Sequence, residues 1–256
     1  MDQASGHRTF NKVPSVSLAF WVAKILATTV GETGGDALSM TLDLGYAVST
    51  LIFLAFFCLT AGAQVASRRY HPVFYWAVVV ATTTVGTTTS DYFDRTLGLG
   101  YVKSSATLLC AVVVVLAIWR FTTGAIAVDS VTSRKDEVFY WVTILASNTL
   151  GTALGDFVAT TTGLGFERGA AVFAALLAAV AAAHFFTRAP GALLFWAAYV
   201  LTRPLGATLG DTLTKSHQEG GLALGRFTSS FLIAAAMIVV VAFTYRRRGA
   251  GAASAT

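Results

Sequence analysis

Four aspartates, Asp36, Asp91, Asp156 and Asp211, each close a copy of one frame, first seen as Phe20 to Asp36 (FWVAKILATTVGETGGD). In every copy a Trp (Trp21, Trp76, Trp141, Trp196) lies 15 residues before the Asp, and a Gly (Gly31, Gly86, Gly151, Gly206) lies five before it. An ionised acid inside apolar sequence costs at least a few kcal/mol at membrane depth unless it is paired, wetted or bound to a cation, so a repeated one points to function. Thr28, Glu32 and Asp36 are spaced i, i+4, i+8, which keeps them on one helix face. Their equivalents are Thr83, Thr87, Asp91; Asn148, Thr152, Asp156; and Arg203, Ala207, Asp211. An oxygen-only set of this kind suits a hard cation such as Mn²⁺, Mg²⁺ or Ca²⁺. The four Asp are therefore the expected metal ligands, and with Glu32 they are candidates for cation binding or proton coupling. The alternative is structural: each Gly-Asp caps a helix break, and each Thr bonds only to the carbonyl four residues back.

Three charges break the repetition. Lys24 aligns with Val79, Ile144 and Tyr199, while Glu32 aligns with Thr87, Thr152 and Ala207. Arg203 aligns with Thr28, Thr83 and Asn148 and precedes Pro204, which is expected to kink its helix. Lys24 is near enough to one end to snorkel. Arg203 is deeper, and a buried guanidinium needs an acid. Glu32 is the other singular charge on the central face, and the first and last repeats become neighbours if four units close into a ring. The expected contact is Arg203 with Glu32 or Asp36.

These residues have to be positioned by membrane helices. At 256 residues, 55% hydrophobic and 12% charged, the chain is too apolar for an ordinary soluble domain of its length. Each repeat contains two segments near the roughly 20 residues that cross a hydrocarbon core. The reading is an all-α integral membrane protein with eight transmembrane helices, arranged as four parallel two-helix repeats at about 15–70, 71–125, 136–190 and 191–248. The Trp spacings of 55, 65 and 55 residues put the boundary between halves at Thr122 to Glu137. Even numbers of crossings leave all four repeats parallel, which implies pseudo-fourfold or two-plus-two symmetry. The pairs Gly31 and Gly35, Gly151 and Gly155, and Gly206 and Gly210 have the small-xxx-small spacing of closely approaching helices. Hence the first helices should meet at the centre, polar faces inward, with the second helices around them facing lipid. If the Trp mark one interface as anchors, Asp36 lies roughly 22 Å deeper, about two-thirds of the way across.

Arg8, Lys12, Arg68, Arg69, Arg120, Arg134, Lys135, Arg188, Arg246, Arg247 and Arg248 fall on the side of the termini, and Arg95, Lys103, Arg168, Lys215 and Arg226 on the other. This bias places both termini in the cytoplasm. The N-terminal residues lack the pattern of a cleaved signal, and the tail 249–256 is small, polar and expected to be disordered. Cys58 and Cys110 are expected to be buried packing thiols. His7, His71, His184 and His217 are scattered, without a catalytic arrangement, so no enzymatic activity is expected. The basic residues gather at helix ends instead of forming a nucleic-acid surface. The expected partners are the lipid bilayer and a small cation, with no cofactor beyond a bound divalent ion and no sign of the oligomeric state.

The four tandem units with Trp21, Trp76, Trp141, Trp196 and their Gly-x-x-x-Gly/Ser-Asp frames resemble the bacterial "membrane-anchored protein" family, built from a four-copy repeat of unknown function. That resemblance implies a bacterial inner-membrane address and no particular chemistry. Glu32 to Asp36 (Glu-Thr-Gly-Gly-Asp) is also similar, with one extra residue, to the Glu-x-Gly-Asp signature of a family of manganese and calcium exporters. The function expected from the acidic face is secondary transport of a small cation, with Mn²⁺ export foremost. The alternatives are a cation-selective channel and a structural or sensory membrane protein.

Overall fold

The computed structural model describes residues 14, 16–67, 70–124, 126 and 133–253. Expectations for His7, Arg8, Lys12, Arg68, Arg69 and residues 254–256 fall outside these. Among the described residues the chain forms eight α-helices: α1 (Leu18–Asp36), α2 (Gly45–Ala66), α3 (Pro72–Asp91), α4 (Gly100–Thr123), α5 (Arg134–Asp156), α6 (Gly165–Phe186), α7 (Gly191–Thr214) and α8 (Arg226–Ala253). Their starts obey local chemistry. The Ser17 hydroxyl accepts from Phe20 N–H at 3.3 Å, the Ser133 hydroxyl accepts from Asp136 N–H at 3.0 Å, and Pro72 opens α3 where its missing N–H is harmless. Helix α7 runs through Pro204 without a break, and α8 continues to Ala253 instead of ending near Arg248. The Ala residues after Gly251 favour that continuation.

The helices α1, α3, α5 and α7 form a closed cycle of neighbours, α1 on α3, α3 on α5, α5 on α7 and α7 back on α1. Each second helix packs mainly on the first helix of the following repeat: α2 on α3, α4 on α5, α6 on α7, and α8 on α1. The last contact joins the two ends of the chain. A π-helical turn follows α1, α3 and α5 at Ala37–Thr41, Tyr92–Thr96 and Phe157–Thr161, and the wider turn swings the chain outward. The return to the second helix needs positive φ at Gly45, Gly100 and Gly165, where glycine pays no Cβ penalty.

Five helices are long and apolar enough to cross a membrane: α2, α4, α6, α8 and α5 with its π turn. α1, α3 and α7 are more polar, because their Thr, Ser and charged residues face one another and are buried. Outside, Leu51, Leu59, Leu109, Val113, Phe231 and Ile238 are exposed, an apolar belt far beyond what a water-soluble surface carries. This agrees with a multi-pass membrane protein. Cys58 and Cys110 lie on this outer surface, exposed, and are not the buried thiols expected. They sit on outer-helix faces that no neighbour covers.

One contact recurs at every junction of the inner cycle. A Cβ added to Gly31 would run into Thr83, to Gly86 into the Asn148 backbone, to Gly151 into Arg203, and to Gly206 into Thr28. The glycine five before each Asp thus receives the residue eight before the next Asp. One turn along, Gly35 receives Thr87, Gly155 receives Ala207 and Gly210 receives Glu32. Gly206→Ala is therefore expected to destabilise the protein by about 1–3 kcal/mol through overpacking. Gly62→Ala on α2, where a Cβ meets nothing within 4 Å, should be neutral or mildly stabilising. Thermal unfolding of the two variants in detergent checks both.

Candidate functional site

The inner faces stack polar and aromatic layers along the bundle. At the Trp end, Phe20, Tyr75, Trp76, Tyr140, Trp141 and Tyr199 are buried together, and the Tyr75 and Tyr140 hydroxyls are 3.1 Å apart. Trp76 and Trp141 are almost fully covered, and Trp21 and Trp196 pack against the same cluster. Trp76 and Trp141 therefore pack into the helix bundle and do not project as headgroup anchors, whereas Trp21 and Trp196 are half-buried and keep part of their rings exposed. Lys24 does not snorkel. It is fully buried, with Nζ 4.2 Å from the centre of the Tyr199 ring, a cation–π contact that the aromatic layer encloses.

One turn further on lies Arg203, which is also fully buried. Its Nη2 donates to Glu32 Oε2 at 3.0 Å, the pairing expected from the two singular charges. The same nitrogen lies within hydrogen-bonding distance of Thr87 Oγ1 (2.5 Å) and Thr152 Oγ1 (2.6 Å), while Nη1 reaches the Thr28 carbonyl at 3.3 Å. Thr87 Oγ1 also lies 3.2 Å from Glu32 Oε2. One guanidinium thereby joins α7 to α1, α3 and α5, using the fixed donor fork of Arg. Around it, Thr28 Oγ1 lies 2.8 Å from the Ile25 carbonyl of its own helix and 3.0 Å from the Thr202 carbonyl across the α1–α7 junction, and Thr83 Oγ1 lies 2.8 Å from the Val80 carbonyl and 3.2 Å from the Ala27 carbonyl across α1–α3. Asn148 Nδ2 donates to Thr82 Oγ1 at 3.0 Å. The Thr hydroxyls thus do more than back-bond within their own helices.

The aspartate layer follows. Asp36, Asp91, Asp156 and Asp211 are all buried. At Asp36, Asp91 and Asp156 the backbone stays α-helical and leads into the π turn, with no side-chain capping bond. The carboxylates are thus not spent as caps. Nor do all four converge as one ligand set. Glu32, Asp36 and Asp211 each present an oxygen within 4.8 Å of the others, and Asp91 and Asp156 stand outside that group. Glu32 and Asp36 are on α1 and Asp211 on its neighbour α7, with Lys215 bridging Asp36 and Asp211, whereas α3, the other neighbour of α1, brings an aspartate with a cation of its own. Asp91 is instead paired with Arg95, Nε to Oδ1 at 3.0 Å. Among the described residues Asp156 has no ion pair.

The cations on this layer were counted from the sequence only as loop charges. Lys215 is buried, with Nζ 2.9 Å from Asp36 Oδ2 and 3.2 Å from Asp211 Oδ1. Arg226, at the start of α8, brings Nε to 3.6 Å from Asp36 Oδ2. The signal was present in the chain: Lys215 and Arg95 each lie four residues after their Asp, one helical turn, whereas Met40 and Thr160 hold that place in the other repeats. After Lys215, Ser216 and Glu219 close a reciprocal capping box. The Ser216 hydroxyl and N–H bond the carboxylate and hold Glu219 below its usual pKa.

Breaking a buried ion pair on one side strands the other charge. Arg203→Ala is expected to cost about 3–5 kcal/mol, and Arg203→Ala with Glu32→Ala should recover part of the loss, giving a clear coupling energy in a double-mutant cycle followed by thermal unfolding.

The model of the Repeat of Unknown Function (DUF347) matches the chain at residues 19–70, 74–125, 139–189 and 194–250. No curated protein and no solved structure matches it.

Proposed function

The chain belongs to the family of the Repeat of Unknown Function (DUF347), and we propose that it is a secondary transporter of a small cation, with export of Mn²⁺ the leading case. The observation that carries this reading is the group of Glu32, Asp36 and Asp211, three buried carboxylates offering oxygens within 4.8 Å of one another. Such a set matches the hard-cation chemistry of Mn²⁺, Mg²⁺ or Ca²⁺. Asp156, without an ion pair among the described residues, is the acid left to take up a coupling proton. In this proposal all eight helices cross the membrane, the repeats turn about a pseudo-fourfold axis along the membrane normal, and both termini lie in the cytoplasm of a bacterial inner membrane. The exposed apolar belt on the second helices supports the crossing, and the Lys and Arg bias supports the orientation.

A carrier fits better than the channel alternative because Arg203 fills the centre of the inner cycle and is tied to three neighbouring helices. A cation passing that guanidinium would meet both a steric block and a like charge. Some rearrangement has to open each side in turn.

Cells expressing the protein are expected to export Mn²⁺, and Asp36→Asn or Asp211→Asn should slow that export by roughly tenfold or more, since each takes a negative charge and one of two carboxylate oxygens from the group. Asp91→Asn should have a smaller effect, because Asp91 lies outside the ligand group. Unchanged efflux in all four Asp→Asn proteins would remove the proposal. Single-channel currents far above carrier turnover, recorded in a planar bilayer, would replace it with the channel.

A further inference from the structure

In the first three repeats a short turn leads from the π turn to the second helix, whereas the fourth inserts residues 215–225 between α7 and α8. Both ends of that insertion carry a cation directed at one carboxylate. Lys215 Nζ is 2.9 Å and Arg226 Nε 3.6 Å from Asp36 Oδ2, and Lys215 also meets Asp211 at 3.2 Å. Between the two, the insertion is strapped to the end of α7. Leu222 N–H donates to the Thr212 carbonyl (2.8 Å), Leu224 N–H to that of Leu213 (2.9 Å) and Ala223 N–H to that of Lys215 (2.9 Å). The Ser216 and Glu219 box closes its near end.

The charges of this group balance. Glu32, Asp36 and Asp211 are opposed by Arg203, Lys215 and Arg226. The three cations are not held alike. Arg203 is sealed among four helices, whereas Lys215 opens the insertion and Arg226 follows it as the first residue of α8, its side chain 23% exposed. A second observation points to a ligand: Asp36 Oδ1 is buried and accepts no hydrogen bond from any described residue, while Oδ2 of the same carboxylate meets both cations. An unmet carboxylate oxygen in a buried site is costly. A metal ion would use it.

We propose that segment 215–226 is a tethered double counter-ion, which leaves the site as a unit when a divalent cation binds Glu32, Asp36 and Asp211. This rests on reading that group as the cation site. The segment withdraws two positive charges and the ion supplies two, so the net charge of the buried group does not change. In a medium of low dielectric constant, any exchange that leaves net charge behind is penalised heavily. A monovalent ion would leave the group one positive charge short, so the exchange selects divalent over monovalent cations. It also gives the carrier a resting state in which the acids stay paired without an ion, and a route for release when the segment returns.

The test uses the full-length protein in detergent, with Mn²⁺ as the probe. Lys215 is labelled with a water-soluble amine reagent and read by mass spectrometry, with the exposed Lys103 as internal control. Saturating Mn²⁺ should raise Lys215 labelling several-fold and leave Lys103 unchanged, and K⁺ should do neither. In K215Q/R226Q the competing charges are gone, and Mn²⁺ affinity, read from the free-ion EPR signal, should rise by roughly tenfold or more, the scale of one close charge pair. Mn²⁺ binding that Asp36→Asn abolishes, with Lys215 labelling flat throughout, would overturn the counter-ion role and leave the cation site standing. Absence of Mn²⁺ binding in both the wild type and K215Q/R226Q would remove the cation site and the counter-ion role together.

Discussion

The architecture depends on a close approach of helix backbones that only glycine permits. At each junction of the inner cycle, the glycine five before one Asp accommodates the residue eight before the next. Association between helices in lipid gains little from hydrophobic burial, so packing of this kind and interhelical hydrogen bonds must supply the cohesion. The Thr28 to Thr202 and Thr83 to Ala27 bonds form at the same level because the glycines bring those backbones within reach. Any Cβ at these positions would separate the helices and break both kinds of contact. The second helices then lock the cycle from outside, each reaching across to the following repeat.

Repetition by itself would make four equal junctions, and the sequence departs from equality at one. The junction of α1 with α7, where the first and last repeats meet, receives Glu32, Arg203 and Arg226, at positions where the other repeats carry neutral residues, together with Lys215, whose place in the second repeat is held by Arg95. Burying this many charges gives little stability on its own, since desolvation offsets most of the Coulombic gain. An apolar set of similar volume would hold the bundle as well. Concentrating the charges at one seam therefore makes sense as a device for handling charge, and it leaves the other three junctions to hold the structure.

Much of this was legible in the chain. The unbroken 15-residue and five-residue spacings within the frames identify four units, and the i, i+4, i+8 polar series identifies the inward face. The pairing of Arg203 with Glu32 followed from two charges that each occur once. What escaped is equally specific. Lys215 and Arg226 look like loop cations, because nothing in a linear count shows that an insertion folds back onto the bundle. Lys24 looks able to snorkel until the aromatic residues of three other helices are seen to close over it. The burial of Trp76 and Trp141 and the exposure of Cys58 and Cys110 depart from expectation for a related reason: hydropathy does not say which side of an apolar helix meets protein. The packing of each second helix on the next repeat leaves no periodic mark in sequence, and neither do the π turns that follow α1, α3 and α5.

Arg203 and the aspartate layer together constrain how such a molecule can work. A fixed guanidinium bonded to Thr87, Thr152 and Glu32 makes the centre rigid, and the glycine contacts leave little free space around it. Movement is easier at the aspartate end, where Asp36 and Asp211 are met by an inserted segment held through a few backbone bonds and a capping box. In the proposed carrier, rigid packing below and a cation exchanging above would let one side of the site stay closed while the other opens. The Arg203–Glu32 pair would then couple the two regions. Glu32 belongs to both, bonded to Arg203 in one direction and grouped with Asp36 and Asp211 in the other. A cation that draws the Glu32 carboxylate toward the aspartates would weaken one of the contacts by which Arg203 ties α7 to its neighbours.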